Sequence, residues 1–272
     1  MRIAAFDSGI GGLSAIAPLF HHYPGLEIVY LGDLANLPYG IKSPARIQEL
    51  TRRNTEWLVN EERRAGRQVQ HFVIACNTAS AHALDSTRDA LKAYQIPVTG
   101  VLEPACQLAS AHPTRKIVVL ATPSTVSSQA YVKKLRELGY TGEIIQKACP
   151  LFVPLVEDNL VSGPIAEGII RRYLDSVHIG SGDSVVLGCT HYPFLLPTLS
   201  AIYPGVEWIE AGNALVESKV IPETLNPKSN GQGKLSLIFT DSAFNRAGID
   251  FLLKQLRLED LAVDIRTISA IL

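Results

Sequence analysis

The sequence predicts an α/β protein made of two similar domains, each with a parallel sheet flanked by helices. Short apolar runs typical of buried strands alternate with helical runs along all 272 residues. A strand that ends at a cysteine and is followed by small polar residues occurs twice, at Val73–Ser80 and Val186–Pro193, with the cysteines 113 residues apart. This duplication predicts two halves related by a pseudo-twofold axis, with an active site in the cleft between them.

The predicted strands are short segments that are rich in Val, Ile and Leu and are bounded by turn residues. They are Ile3–Phe6, Ile28–Leu31, Phe72–Cys76, Val98–Leu102, Ile117–Thr122, Glu143–Ala148, Val185–Cys189, Val206–Ile209 and Leu235–Thr240.

Three helices have clear sequence signals. Ser43 before Pro44 predicts an N-cap, and Gly66 predicts the end of that helix. A second helix is predicted to open at Ser162-Gly163-Pro164, and a third spans Ser242–Leu256. The apolar stripes of the last two are expected to pack into the core, through Ile165, Ile169, Ile170, Tyr173, Leu174, Phe244, Ala247, Phe251 and Leu252. The Pro-, Asn- and Gly-rich segment Pro222–Gly233 predicts a surface loop.

Two further pairs of segments support the duplication. Asp7-Ser8-Gly9 corresponds to Thr122-Pro123-Ser124, and Tyr23–Val29 resembles Tyr140–Ile145, at offsets close to that of the cysteines. Tyr203–Glu207 has the same pattern out of register. Ordinary turn-to-strand chemistry therefore stays open as an alternative explanation of the second pair.

Composition excludes several classes of function. The net charge is −1 and the charged residues are scattered, so we expect neither a nucleic acid nor a membrane surface as a partner. The apolar runs are too short for a signal peptide or a membrane span. None of the four cysteines forms a CxxC pair, which argues against a disulfide framework and against a metal site. The expected compartment is the reducing cytoplasm.

Cys76 and Cys189 are the candidate chemical groups. Each is predicted to lie between a buried strand and a new helix, where N–H groups and the positive end of the dipole favour a thiolate. A buried cysteine is also a common small core residue, which is the interpretation we prefer for Cys106 and Cys149. Polar residues follow the first two cysteines, so we interpret these as the acid and the base of a proton-transfer enzyme.

Other polar positions permit more than one interpretation. Asp7 opens a glycine-rich segment that lacks both the G-x-G-x-x-G spacing and a Walker lysine, which argues against a nucleotide site. In the structural interpretation this segment is a tight turn with Asp7 or Ser8 as the helix N-cap. In the functional one, Asp7 contacts a substrate ammonium group or polarises a neighbouring thiol. Pro38-Tyr39-Gly40 is either a turn or a loop that holds a carboxylate. His191 and Glu157 are each compatible with a catalytic or a purely structural role.

Taken together, these motifs make the chain resemble glutamate racemase, a family of cofactor-independent amino-acid racemases. The matching segments span most of the chain in the order of the family, and together they are highly specific. They are Phe6–Leu13, Pro38–Gly40, Ala75–Ala79, Glu103-Pro104, Cys149–Pro154 and Gly188–Pro193. Ser124 and Glu210-Ala211-Gly212 depart from the expected pattern, which affects the detail of two loops and not the cysteines.

The resemblance implies a domain of residues 1–97 plus 206–272 and a second domain of residues 98–205. It implies no cofactor, no metal, a homodimer, and glutamate as the small-molecule substrate. The implied catalytic residues are Cys76, Cys189, Asp7 and His191. The implied substrate-binding residues are Asp7, Ser8, Pro38, Tyr39, Gly40, Asn77, Thr78, Thr122, Thr125, Thr190 and His191.

The implied reaction interconverts L- and D-glutamate and supplies D-glutamate for peptidoglycan. Thiols on opposite faces of the α-carbon would alternate as base and acid, with Cys76 acting on the D-enantiomer and Cys189 on the L-enantiomer. Three alternatives remain at this point: a racemase for aspartate or another acid, a small-molecule binding module with structural cysteines, and a pyridoxal-phosphate racemase. The last is disfavoured because no lysine lies in an evident phosphate-binding context.

Overall fold

The structure, a computed structural model, describes residues 1–111, 116–218, 233–241, 246–269 and 271. Most of the predicted loop Pro222–Gly233, and residues 242–245 of the predicted third helix, lie outside the described residues. The same holds for the side chains of Phe244, Ala247 and Phe251, which were predicted to face the core.

Two parallel sheets form the framework of the molecule. The first has the spatial order β10 (Ala262–Thr267), β9 (Lys234–Phe239), β2 (Glu27–Gly32), β1 (Arg2–Asp7), β3 (His71–Ile74) and β4 (Val98–Gly100). The second has the order β6 (Glu143–Ala148), β5 (Lys116–Ala121), β7 (Ser184–Gly188) and β8 (Glu207–Ile209). Every strand pair within the described residues is parallel. The predicted fold class is confirmed, and all nine predicted strands form.

The second sheet repeats the strand order of the first. The order β2-β1-β3-β4 corresponds to β6-β5-β7-β8, so the first strand of each half is flanked by the second and the third. Ile3 pairs with Ile28 in one sheet, as Ile117 pairs with Ile144 in the other. This common order agrees with the predicted duplication, and it gives β3 and β7, the strands before Cys76 and Cys189, equivalent places.

The sheets exchange chain segments slightly later than the predicted domain boundaries. β4 begins at Val98 and pairs with β3 in the first sheet, whereas β8 begins at Glu207 and pairs with β7 in the second. The division at 97/98 and 205/206 stays a prediction. The chain passes from the first sheet to the second after β4, and it leaves the second sheet after β8. β9 and β10 return the C-terminal segment to the first sheet.

Helices cover both sheets. They are α1 (Leu13–His22), α2 (Pro44–Arg64), α3 (Asn77–Lys92), α4 (Leu102–Ala111), α5 (Pro123–Ser128), α6 (Ala130–Glu137), α7 (Phe152–Glu157), α8 (Gly163–Leu174), α9 (Leu196–Ile202), α10 (Ala211–Glu217) and α11 (Arg246–Gln255). The signals at α2 are confirmed, because Ser43 Oγ accepts the N–H of Arg46 and Gly66 adopts the left-handed φ of +69°.

Apolar strand residues are buried on both faces of each sheet, as a parallel sheet covered by helices requires. In α8 the predicted stripe is partly wrong, because Ile165 is 58% exposed while Ile170 and Leu174 are buried. The buried positions Ala166, Ile170 and Leu174 recur every four residues on one face of α8, and Ile165 lies outside that face. No helix in the described ranges is long and apolar enough to cross a membrane.

Candidate active site

A cavity of about 270 Å³ lies between the two sheets, at the carboxyl ends of their strands. Both candidate cysteines line it, Cys76 from the first half and Cys189 from the second. The other lining residues that the sequence predicted are Ser8, Pro38, Tyr39, Gly40, Asn77, Thr78, Thr122, Thr190 and His191. Asp7 and Thr125 do not line the cavity and lie directly behind residues that do.

Cys76 is the N-cap residue of α3, as predicted. Its Sγ accepts the N–H of Ala79 at 3.4 Å, and its thiol lies 3.6 Å from Ser8 Oγ. Burial and the negative charge of Asp7 raise the pKa of Cys76 to about 12, although these hydrogen bonds oppose the rise. The N–H group of Ala79 favours a thiolate, as expected at a helix N-terminus, but desolvation and Asp7 outweigh it and favour the thiol.

The expected helix start at Cys189 is wrong. Cys189 follows β7 directly, but the next residues form a 3-10 turn at Tyr192–Leu195, and α9 begins only at Leu196. The cation at this sulfur is supplied by the side chain of His191 instead. Burial on its own would lower the pKa of His191, but its interactions with the side chains of Cys189 and Glu157 raise it to about 10. This shift favours the imidazolium form of His191 at neutral pH.

Glu157 completes this group of charges. It lies at the end of α7, it lines the cavity, and its Oε1 is 3.4 Å from His191 Nε2. The alignment is that of an ion pair and not of a hydrogen bond, since neither ring nitrogen of His191 has a hydrogen-bonding partner among the described residues. Gly11 makes room for the ring, because a Cβ there would lie 2.6 Å from His191 Nδ1.

Asp7 ends β1 and is fully buried. Its Oδ1 accepts the N–H of Gly9 at 2.8 Å, and its Oδ2 accepts the hydroxyl of Thr190 at 3.4 Å. Burial raises the pKa of Asp7, while the nearby His191 cation and the N–H groups of Gly9 and Gly12 oppose that rise. Asp7 therefore joins the two halves electrostatically, from beneath the cavity.

Three threonine hydroxyls meet where α3 and α5 approach each other. Thr78 Oγ1 lies 3.0 Å from Thr122 Oγ1 and 3.2 Å from Thr125 Oγ1, and the last two are 3.0 Å apart. Thr122 also caps α5 by accepting the N–H of Thr125. Thr78 and Thr122 face the cavity, and Thr125 supports both from behind.

The loop after β2 brings Tyr39 and Gly40 to the cavity. The hydroxyl of Tyr39 donates to Asp33 Oδ2 at 2.7 Å, and Asn54 Nδ2 donates to the same oxygen at 3.0 Å. Gly40 approaches Thr122 so closely that a Cβ would lie 2.8 Å from Thr122 Cβ. The Tyr39 hydroxyl is thus committed to Asp33, which leaves the ring and the backbone of this loop to face the cavity.

The remaining wall of the cavity is apolar. It consists of Leu37, Ile41, Pro123, Pro150, Val153 and Pro154. No group of three or more His, Cys, Asp or Glu side chains in the described part of the chain is arranged to hold a metal ion. The arrangement provides two sulfurs, hydroxyl and amide donors, and one imidazolium around a small space, which suits acid–base chemistry on a small polar molecule.

Residues 13–218 match the family model described as Asp/Glu/Hydantoin racemase. The glutamate racemase of Sulfurihydrogenibium sp. (strain YO3AOP1) is 38% identical over 248 residues, which cover 90% of this chain and 92% of that protein. The chain belongs to the Asp/Glu/hydantoin racemase family. It is an amino-acid racemase, and hence an isomerase, similar to the glutamate racemases of that family.

Solved racemase structures agree with this. The glutamate racemase of Francisella tularensis in complex with D-glutamate has a TM-score of 0.83 and 31% identity, covering 99% of this chain and 97% of that one. The enzyme from Aquifex pyrophilus has a TM-score of 0.75 and 37% identity, covering 97% and 98%. Similarity to these racemases therefore extends over both sheets.

Two features of this racemase escaped the sequence analysis. Tyr131, on α6, donates its hydroxyl to Asn77 Oδ1 at 2.6 Å, although 54 residues separate the two. The network around Asp33 was also missed, even though a polar residue directly after the buried strand β2 was a usable signal. Glu157, for which the sequence left two roles open, lines the cavity.

Proposed function

We propose that this racemase interconverts L- and D-glutamate by a two-base proton transfer between Cys76 and Cys189. The observation that carries the proposal is that both sulfurs, which follow equivalent strands of the two sheets, line one cavity. An α-carbon bound between them would lose its proton to one sulfur and receive a proton from the other. Inversion follows because the two transfers take place on opposite faces.

The charges around the cavity fit one direction of this reaction. The raised pKa of Cys76 keeps it a thiol, while the imidazolium of His191 is the counter-ion that a negatively charged Cys189 needs. In this state Cys189 acts as base on L-glutamate and Cys76 delivers a proton to the opposite face. D-glutamate requires the opposite protonation state, and we assign Asp7 and His191 to assist proton movement at Cys76 and Cys189.

The α-proton of an amino acid is a weak acid, so the developing negative charge needs fixed donors. We assign this task to the backbone N–H groups near Ser8, Gly40 and Thr190 and to the side chains of Asn77 and Thr78. The carboxylate of Glu157 faces the same space. Glu157 and the His191 cation together would orient the ammonium group of the substrate away from the donors that hold the substrate carboxylate.

The decisive experiment replaces each cysteine by serine and follows deuterium uptake at the α-carbon in deuterated water. We expect Cys76→Ser and Cys189→Ser each to lose racemisation by several orders of magnitude, because a hydroxyl is a far weaker acid than a thiol. Cys106→Ser and Cys149→Ser are matched controls, since these thiols are also buried but do not line the cavity. A Cys76→Ser or Cys189→Ser enzyme that racemises both enantiomers at the wild-type rate contradicts the two-base scheme.

The wider role follows from the proposed reaction. D-glutamate made here would serve peptidoglycan synthesis, and four free thiols suit a reducing cytoplasm. The division into residues 1–97 plus 206–272 and residues 98–205, and the homodimer, remain part of this proposal. Rates on glutamate and aspartate measured side by side test the choice of substrate: a higher kcat/KM for aspartate would contradict it.

A further inference from the structure

Tyr131 connects the two halves of the site from behind. It lies on α6 over the second sheet and is fully buried. Its hydroxyl reaches across to the first half and donates to Asn77 Oδ1 at 2.6 Å. Asn77 is the first residue of α3 and directly follows Cys76.

The ring of Tyr131 lies against the loop of the other cysteine. A Cβ on Gly188 would lie 3.2 Å from the edge of the ring, so the glycine before Cys189 makes room for it. The rest of the side chain packs among Leu102, Ala105, Cys106 and Val186 in the core between α4, α6 and the second sheet. The buried and closely packed ring therefore fixes the position of the hydroxyl.

The amide of Asn77 has one partner and one free donor. Oδ1 accepts from Tyr131, whereas Nδ2 is buried and has no hydrogen-bond partner among the described residues. A buried amide nitrogen without a partner costs free energy unless a ligand accepts its hydrogens. Because Asn77 lines the cavity, an anionic oxygen of a bound molecule is a suitable acceptor.

We propose that Tyr131 is a positioning residue of this racemase, whose hydroxyl fixes the Asn77 amide so that Nδ2 donates to the substrate carboxylate. This rests on the proposed glutamate racemisation. Without the hydroxyl the amide is free to rotate, and half of its orientations present Oδ1 to the carboxylate, which repels it. Burial raises the pKa of Tyr131 well above its usual value, so the hydroxyl remains a donor throughout the working pH range.

The test is a double-mutant cycle of Tyr131→Phe and Asn77→Ala, with kcat and KM measured in both directions. We expect Tyr131→Phe to lower kcat/KM about tenfold, as hydrogen bonds to charged groups are worth about that factor. Both a higher KM and a lower kcat contribute, because Nδ2 binds the carboxylate and stabilises its developing charge. In the Asn77→Ala background the same substitution should change kcat/KM less than about twofold. An unchanged kcat/KM in Tyr131→Phe, or an equal loss in both backgrounds, overturns the proposal.

Tyr94→Phe is the matched control. Tyr94 also donates to an asparagine Oδ1, that of Asn60 at 3.2 Å, but neither residue lines the cavity. Its substitution should leave kcat and KM unchanged, and a tenfold loss of kcat/KM there would overturn the specific role of Tyr131. A thermal unfolding midpoint for every variant identifies any that fails to fold.

Asn77→Asp tests the proposal without touching Tyr131. The carboxylate keeps the acceptor for the tyrosine hydroxyl but replaces the N–H donor by a negative charge, so KM should rise by more than in Tyr131→Phe. An unchanged KM overturns the proposal.

Failure of the proposed function has a different signature: the wild-type enzyme itself would then exchange no α-hydrogen of glutamate. In that case calorimetric binding of D-glutamate to the same variants tests the role of Tyr131.

Discussion

The two cysteines of this racemase occupy equivalent places but have different surroundings. Cys76 caps a helix yet has a raised pKa because it is buried beside Asp7. Cys189 lacks a helix N-terminus and has the imidazolium of His191 as its neighbour. The two sulfurs therefore follow equivalent strands and line one cavity, but the charged groups around them differ.

His71 offers a test of pH dependence at the residue scale. It starts β3, its Nε2 lies 2.9 Å from Thr99 Oγ1, and burial lowers its pKa to about 4. Since the unfolded chain binds this proton near pH 6.5, the folded state loses stability as the pH falls from about 6.5 to about 4. The shift corresponds to ~3 kcal/mol of unfolding free energy.

We therefore expect His71→Gln to lose ~3 kcal/mol less stability than the wild type over that pH range. Urea denaturation at pH 7.0, 5.5 and 4.0 measures the difference. Other acid-titrating groups are common to both proteins and cancel in the comparison. Parallel stability curves for the two proteins would contradict the assignment of this loss to His71.

At the scale of elements, the first turns of α3 and α5 are joined by the hydroxyls of Thr78, Thr122 and Thr125. Thr125→Val keeps the side-chain shape but removes the hydroxyl that supports the other two. We expect a loss of about 1–2 kcal/mol of stability and a several-fold lower kcat/KM, since the two cavity-facing hydroxyls lose a buried partner.

Thr125→Ser is the control for this prediction, because it keeps the hydroxyl and removes only a methyl group. Both variants should be less stable in thermal unfolding, but only the valine variant should lose kcat/KM. Equal kinetics for the two variants would indicate that Thr125 serves the packing of α5 alone.

Local pattern was sufficient for nine of the ten strands of the described residues and for the position of both cysteines after a strand, because apolar runs and turn residues depend on neighbours in sequence. β10 was not predicted, although Val263 and Ile265 alternate with Asp264 and Arg266 in the period-two pattern of a strand. This strand pairs with β9 at the edge of the first sheet. By contrast, the contacts of Tyr131 with Asn77 and of His191 with Glu157 were inaccessible to local pattern, since they arise only when the two halves pack together.

At the scale of the whole molecule, the two tryptophans of the chain allow the packing of its two halves to be tested. Trp57 lies on α2 and packs against the first sheet, and Trp208 lies in β8 of the second. Trp57→Phe and Trp208→Phe enzymes therefore report the unfolding of one half each by fluorescence. A ligand bound by residues of both halves stabilises both.

Racemic glutamate, the equilibrium mixture of the proposed reaction, should raise the unfolding free energy of each single-tryptophan enzyme. At a concentration 100 times its Kd the increase is ~2.7 kcal/mol. Urea titrations with and without glutamate measure it, and glutarate of equal ionic strength, which lacks the ammonium group, is the control for charge screening. Because the cavity is lined by Cys76 and Asn77 from one half and by Cys189 and His191 from the other, both transitions should shift together. A shift reported by only one tryptophan would mean that the ligand binds to a single half, and a two-base reaction across the cleft would then be impossible.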